Sequence, residues 1–376
     1  MRAFIRAILI VGTVLCLAAA ALAWHTLSYD YGNDRFMASC GAQLGFVEKT
    51  YQTLDGRTIA YLEGPDAGEP LLLIHGQMVS KEDYAKVLPE LSRHYHVFAV
   101  DCYGHGGSSK DPSAYNITTI RDDLIGFMGD VIQARTLVAG HSSGALIAAA
   151  IAAATPGQVG GLLLEDGPFF STEPNRAQNT LSYKEFQTIH DFLAQDEEGN
   201  YTRYYLSHSY MSTLFNSGDG NTWEPLVKRP FSERINENSG AMPIVWYYPP
   251  EVGLNSLVFL TRNLQDGTGA YDLRFGDAFY DFSWFAGFDQ EQTLRQIACP
   301  TLILHVAPSS ATAPSYYDQR GVLISAMDEH DAQHVHALVA KSELIEGYDS
   351  RHDIHDELPQ EYIDAINRLS DKVGSR

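Results

Sequence analysis

Five apolar runs punctuate the chain: Leu71–Ile74, Val97–Val100, Thr136–Ala139, Gly161–Leu164 and Thr301–Leu304, with glycine, proline or aspartate close by. Short apolar runs without polar alternation predict strands buried on both faces. The stretches Lys81–Ser92, Ile117–Gln133 and Gly144–Ala154 lie between them and read as helices. Strands that alternate with helices predict an α/β fold with a doubly wound, mostly parallel sheet. Ahead of them, Gly45 to Leu62 places alternating Tyr, Thr and Ile around Asp55-Gly56, the pattern of two short strands joined by a turn. Residues 167–290 break this rhythm and hold 24 of the 42 aromatic residues. A compact domain does not tolerate a structureless loop of that length, so the segment is expected to be an inserted helical cap over the ligand edge of the sheet. Most of its aromatics are expected to pack the cap on the core, with Trp246-Tyr247-Tyr248 and the run Phe279 to Phe288 best placed to reach a pocket.

The N-terminus has a pattern of its own. Arg2 and Arg6 precede Ala7–Ala23, which carries no charge. A basic start, an apolar stretch and the small-residue site Ala21-Leu22-Ala23 are the layout of a signal peptide. The same stretch, left uncut, sits near the lower limit of about 17 residues for a membrane-spanning helix. Residues 1–23 are therefore a signal peptide or an anchor, 24–44 a linker, and 45–166 with 291–376 the α/β core around the 167–290 insertion. The folded part is expected outside the cytoplasmic membrane, secreted or tethered by residues 7–24.

Charge narrows the function. With 26 Lys and Arg against 47 Asp and Glu, the formal charge is −21. Such a surface repels phosphate backbones, so no nucleic-acid partner is expected. The four cysteines, Cys16, Cys40, Cys102 and Cys299, show neither CxxC spacing nor a disulfide framework.

The sharpest local signal is Gly140-His141-Ser142-Ser143-Gly144, directly after the run ending at Ala139 and directly before an alanine-rich helix. G-x-S-x-G between strand and helix lets a strained turn lift the serine hydroxyl above the sheet edge, where the helix N-terminus favours developing negative charge. His75-Gly76-Gln77 follows the first buried strand and Asp101-Cys102-Tyr103-Gly104-His105-Gly106-Gly107-Ser108 the second. Near the C-terminus stands His352-Asp353-Ile354-His355-Asp356-Glu357-Leu358-Pro359. In this order the motifs resemble those of the α/β-hydrolase family, over roughly Gly45 to Tyr362, with an exported, cap-bearing esterase closest in type.

The resemblance implies roles. Ser142 is the expected nucleophile, the backbone N–H groups of Gln77 and Ser143 the oxyanion donors, and His352 the general base, with His355 as competitor or support. Arg351 stands where the family usually has glycine. The Asp101–Ser108 turn is expected to be structural. The acid departs from the pattern, because Ser309 and Ser310 occupy the usual position after the Thr301–Leu304 strand. A second arrangement takes the acid from the end of the preceding strand, which nominates Asp166, with Glu165 and Asp318 as alternatives; its role is to orient and charge-stabilise His352. His330, His334 and His336 invite a metal reading, but no HExxH or carboxylate pattern accompanies them, and a solvated amphipathic helix explains them better. No cofactor is expected. The expected function is a serine hydrolase acting on a small, apolar or aromatic ester; lactones, thioesters, amides and peracid formation are open to the same triad. The rival is a ligand-binding protein on a degraded hydrolase fold, motivated by the displaced acid and Arg351.

Overall fold

The apolar runs become strands because both of their faces find cover. The computed structural model describes residues 1–216, 220–237, 243–263, 271–308 and 315–374. Among these, β1 (Val47–Gln52), β2 (Thr58–Glu63), β3 (Glu69–Ile74), β4 (Tyr95–Val100), β5 (Thr136–His141), β6 (Val159–Glu165), β7 (Thr301–Val306) and β8 (Ser342–Tyr348) form one sheet. Their order is β1-β2-β4-β3-β5-β6-β7-β8. β2 is antiparallel to both β1 and β4, and every other pairing is parallel.

Period-two alternation divides the core between two layers. Leu72, Ile74, Val138, Leu162, Leu164 and Ile303 pack on one face with the helices Ile117–Phe127 and Ser143–Ala154. Leu71, Leu73, Leu137, Ala139, Leu163 and Leu302 pack on the other with Tyr84, Tyr362, Ile366 and Leu369. The hairpin turns where expected: Gly56 takes φ +79° and its N–H donates to the Thr53 carbonyl. β8, like β1 at the opposite edge, departs from the apolar rule. As an edge strand it is half-buried at most, so its polar sequence Ser-Glu-Leu-Ile-Glu-Gly-Tyr is compatible with its place.

Two expected helices are modified. Lys81–Ser92 is a 3-10 turn, Lys81–Lys86, followed by a short α-helix, Leu88–Leu91, with Pro89 at its start. Ile117–Phe127 continues into a π-turn, Met128–Ile132, which Gln133 closes in the left-handed region.

Residues 24–44, expected as a linker, are structured. The N-terminal helix Arg2–Leu27 runs past Ala23, and a second helix, Asp34–Leu44, buries Cys40 and packs Phe36, Met37 and Leu44 against the core layer of Leu71 and Tyr84. Phe36, Met37, Cys40 and Leu44 recur at helical spacing and give that helix the face it docks. The N-terminal helix is long and apolar enough over Phe4–Leu27 to cross a membrane, and its apolar residues are exposed.

Between β6 and β7 the described residues form helices and no named strand. Tyr271 and Asp272 seat this segment on the ends of β3 and β4: the Asp272 N–H donates to the Gly104 carbonyl at 2.7 Å, and Tyr115 Oη donates to Asp272 at 2.7 Å. Tyr271 Oη donates to Gln77 Oε1 at 2.5 Å. Phe279, Phe282 and Phe285 line a small cavity with Tyr183 and Phe186, whereas Trp246 stacks edge-on to its neighbour Tyr247 and Tyr248 packs beside Phe231.

Candidate active site

Ser142 joins β5 to the helix Ser143–Ala154 with φ 53° and ψ −123°, a conformation that side chains other than glycine rarely adopt. The surrounding glycines make the turn possible. A Cβ on Gly140 would lie 2.2 Å from the Gly144 carbonyl oxygen, and one on Gly144 would lie 2.2 Å from that of Ile74. A Cβ on Gly76 would meet the Ser142 Cβ at 2.9 Å, so the loop after β3 passes directly beside the serine. Gln77 follows on that loop, and Ser143 N–H is the first of the helix, with no acceptor available inside it. His75 fastens this loop to the next one: its Nε2 accepts from the Cys102 N–H at 3.0 Å and its Nδ1 donates to the Gly76 carbonyl at 2.6 Å.

Glu165 and Asp166, consecutive at the end of β6, each take a histidine. Asp166 is fully buried, takes φ 39°, and donates its N–H to the Leu304 carbonyl on β7. Its Oδ2 accepts from His352 Nδ1 at 2.7 Å and its Oδ1 from His305 Nδ1 at 2.9 Å. Burial alone would push the Asp166 carboxyl up; the bonds from His305 and His352 outweigh it and bring its pKa down to about 2. Burial pulls the other way on His352, and the Asp166 bond and charge outweigh that in turn, raising its pKa to about 9.

Glu165 accepts from the backbone N–H and from Nδ1 of His355, at 2.8 and 2.9 Å, while His355 Nε2 lies 3.0 Å from Asp83 Oδ2. With carboxylates on both nitrogens, His355 is held charged, its pKa well above the ordinary value although burial opposes this. His141 fills the space between the two histidines, its ring 4.6 Å from that of His352 and 4.9 Å from that of His355. Burial pushes its pKa down to about 3.

The structure therefore brings Asp166 to His352, and Glu165 to His355. Ser142, on the adjacent strand end, makes no side-chain hydrogen bond among the described residues. Asp318 is engaged elsewhere, accepting from Tyr210 Oη at 2.9 Å and closing a turn onto the N–H groups of Arg320 and Val322. Ser309 and Ser310 lie outside the described residues. Asp101 accepts from Lys81 Nζ and Gly107 N–H, both at 2.9 Å, and a Cβ on Gly106 would collide with it, which gives that turn a structural explanation. On the helix Glu329–Leu338, His330 and His334 stack with 6.3 Å between ring centroids, His334 also packs on Phe170, and His336 hydrogen-bonds Ser342. His330 stands beside Asp328 and Asp331, two carboxylates already held by Arg176.

The family model described as "Alpha/beta hydrolase family" matches residues 71–365, well over half of the chain. The chain belongs to the α/β-hydrolase family. In this α/β-hydrolase the matched region runs from β3 into the C-terminal helix Pro359–Gly374. Over 130 residues it is 31% identical to (E)-2-((N-methylformamido)methylene)succinate hydrolase of Acinetobacter baylyi, covering 35% of this chain and 49% of that protein. Over 163 residues it is 32% identical to Lipase 1 of Psychrobacter immobilis, covering 39% and 50%. The matching stretches thus span about half the length of these curated relatives. Among solved structures, a membrane phospholipase A described as a bacterial virulence factor aligns over 100% of both chains, with a TM-score of 0.56 at 21% identity. A thermophilic esterase from Thermogutta terrifontis aligns over 87% of this chain and 98% of its own, with a TM-score of 0.56 at 18% identity. These curated relatives carry the names of a hydrolase and a lipase.

His305 was not singled out in the sequence as a site residue. The signal that finds it is positional: it stands near the end of β7, one residue after Leu304, whose carbonyl accepts from Asp166. Asp83 was missed as well, and its 3-10 turn lies far from His355 in sequence.

Proposed function

We propose that this α/β-hydrolase is an exported serine hydrolase that cleaves carboxylic esters through an acyl-enzyme. The Asp166–His352 hydrogen bond carries the reading, because it fixes Nδ1 as the donor and leaves the Nε2 lone pair of the neutral ring to act as a base. Ser142 Oγ attacks the ester carbonyl while its proton passes to His352 Nε2. The backbone N–H groups of Gln77 and Ser143 receive the negative charge that forms on the carbonyl oxygen. Collapse of the tetrahedral intermediate expels the alcohol, which takes the proton from His352. Water then enters with His352 as base and releases the acid and the free serine.

The segment 167–290, helical over its described residues, acts as a cap in this reading, since Tyr271 and Asp272 tie it to the loops beside Ser142. The aromatic residues concentrated in this segment support an apolar acyl or alcohol group. The exposed apolar N-terminal helix supports export, with the body released by cleavage after Ala23 or held on the membrane by residues 7–24. The Asp166–His352 bond supports Asp166 as the displaced acid, against a non-catalytic reading. The deciding experiment is labelling with a fluorophosphonate probe, read by peptide mass spectrometry. Modification of Ser142 that disappears in Ser142→Ala is expected; an unlabelled wild-type protein overturns the proposal.

A further inference from the structure

We infer that His305 is a positioning residue of this site: its Nδ1–H holds Asp166 Oδ1 so that Oδ2 stays aimed at His352. The inference rests on the proposed serine mechanism and adds a fourth residue to it. Both His305 and Asp166 are fully buried, and the bond between them is 2.9 Å. The backbone on either side is fixed, because the Asp166 N–H donates to the carbonyl of Leu304, the residue before His305. The imidazole is fixed too. It stacks on Tyr316 at 5.0 Å between centroids with 20° between planes, and Tyr316 Oη donates to the Val306 carbonyl at 3.1 Å.

A carboxylate turns about a broad terminal torsion, so one hydrogen bond leaves its plane poorly defined. Donors on both oxygens define it. Among the described residues the Asp166 carboxylate has two hydrogen-bond partners, His352 on one oxygen and His305 on the other. Around this pair stand further ionisable groups. Tyr316 faces the His305 ring, Glu346 is opposite it on β8, Glu165 precedes Asp166, and Asp353 follows His352. None of these is a hydrogen-bond donor to Asp166. His305 Nε2 has no partner among the described residues, so the ring meets the site through Nδ1. This bond steadies the carboxylate on the side away from His352. By drawing electron density to Oδ1, it also weakens the pull of Oδ2 on the His352 proton.

Three substitutions separate the hydrogen bond from the packing. The Asn side-chain nitrogen occupies nearly the place of Nδ1, the Gln nitrogen nearly that of Nε2, and Leu fills the space without a donor. With p-nitrophenyl butyrate as substrate, His305→Leu and His305→Gln are expected to lower kcat about ten- to a hundredfold, the loss of one hydrogen bond to a charged group, with KM little changed. Their rising limb in kcat/KM against pH moves to higher pH, because His352 then keeps its proton more tightly. His305→Asn is expected to exceed both in kcat by about tenfold, the smaller of those two factors, and to restore the limb. A purely structural role would lower the melting temperature in all three and leave the limb in place. The inference is overturned if Gln and Leu match wild type in kcat and limb, or if Asn does no better than Gln. Should the Leu variant fail to fold, the Asn–Gln pair decides alone. Fluorophosphonate labelling of wild-type Ser142 keeps this test separate: labelling with an indifferent His305 sinks the positioning role only, whereas no labelling sinks the serine mechanism beneath it.

Discussion

Two carboxylate–histidine clusters flank the end of β6, and they are chemically alike but differently finished. Glu165 and Asp166 are both fully buried, and each binds a histidine from the segment after β8. On the Glu165 side the arrangement is closed, because His355 is fully buried with a carboxylate at each nitrogen. On the Asp166 side it is open: His352 has 34% of its side chain exposed and one nitrogen engaged. A histidine clamped at both ends is a structural cation, whereas one held at a single end has a second nitrogen for chemistry. In the proposed reading the same residue types serve stability in one cluster and reactivity in the other, and burial together with the number of partners makes the difference.

That contrast is breakable. The largest expected effect is Asp166→Asn, which supplies the wrong hydrogen-bonding group to His352 Nδ1 and should cut kcat by about 10³- to 10⁴-fold, a loss larger than its cost in stability, as steady-state kinetics and calorimetry would show. Near-normal turnover would remove Asp166 from the mechanism. Next comes Glu165→Gln, where denaturant unfolding should show a loss of about 3–5 kcal/mol, the cost of stranding one partner of a buried ion pair. If that variant lost turnover but not stability, the two clusters would have exchanged roles.

The third is the pH profile. In the proposed mechanism His352 works as a base only when neutral, and Asp166 raises its pKa to about 9, so kcat/KM should climb on the alkaline side of the ordinary histidine value. A third of that side chain meets water, which screens the shift and sets the midpoint below that figure. The sign for stability is opposite. A raised folded-state pKa contributes stability that is complete below the unfolded pKa and is lost as pH rises through the folded one. Activity should therefore increase in the window where this contribution to the melting temperature fades. A limb at or below the ordinary histidine pKa would mean that Asp166 does not act on His352 as drawn. The smallest effect belongs to Arg351→Gly. Arg351 is 75% exposed and pairs with Glu357, so stability should change within about 1 kcal/mol and kcat by less than a few-fold. A large loss would show that the residue before His352 shapes the loop.

Much of the architecture was legible because it follows from local chemistry. Strand β3 and the strands β4 to β7 announce themselves as apolar runs, since a strand covered on both faces has no use for polar residues. The turn at Ser142 is legible because glycine alone fits at Gly140 and Gly144, where any side chain would strike backbone. Edge strand β8 and the helix Asp34–Leu44 were less visible, because each meets the core with part of its surface and keeps polar residues elsewhere.

What the sequence determined by itself was the order of the elements, the strained serine turn and the candidates for base and acid. Their pairing was decided by tertiary structure. Glu165 and Asp166 are neighbours in the chain, as His352 and His355 nearly are, and no local pattern says which carboxylate meets which histidine. Successive side chains at a strand end leave on opposite sides, so the choice depends on what the adjoining strands and loops bring to each side: His305 and His352 to one, Asp83 and His355 to the other.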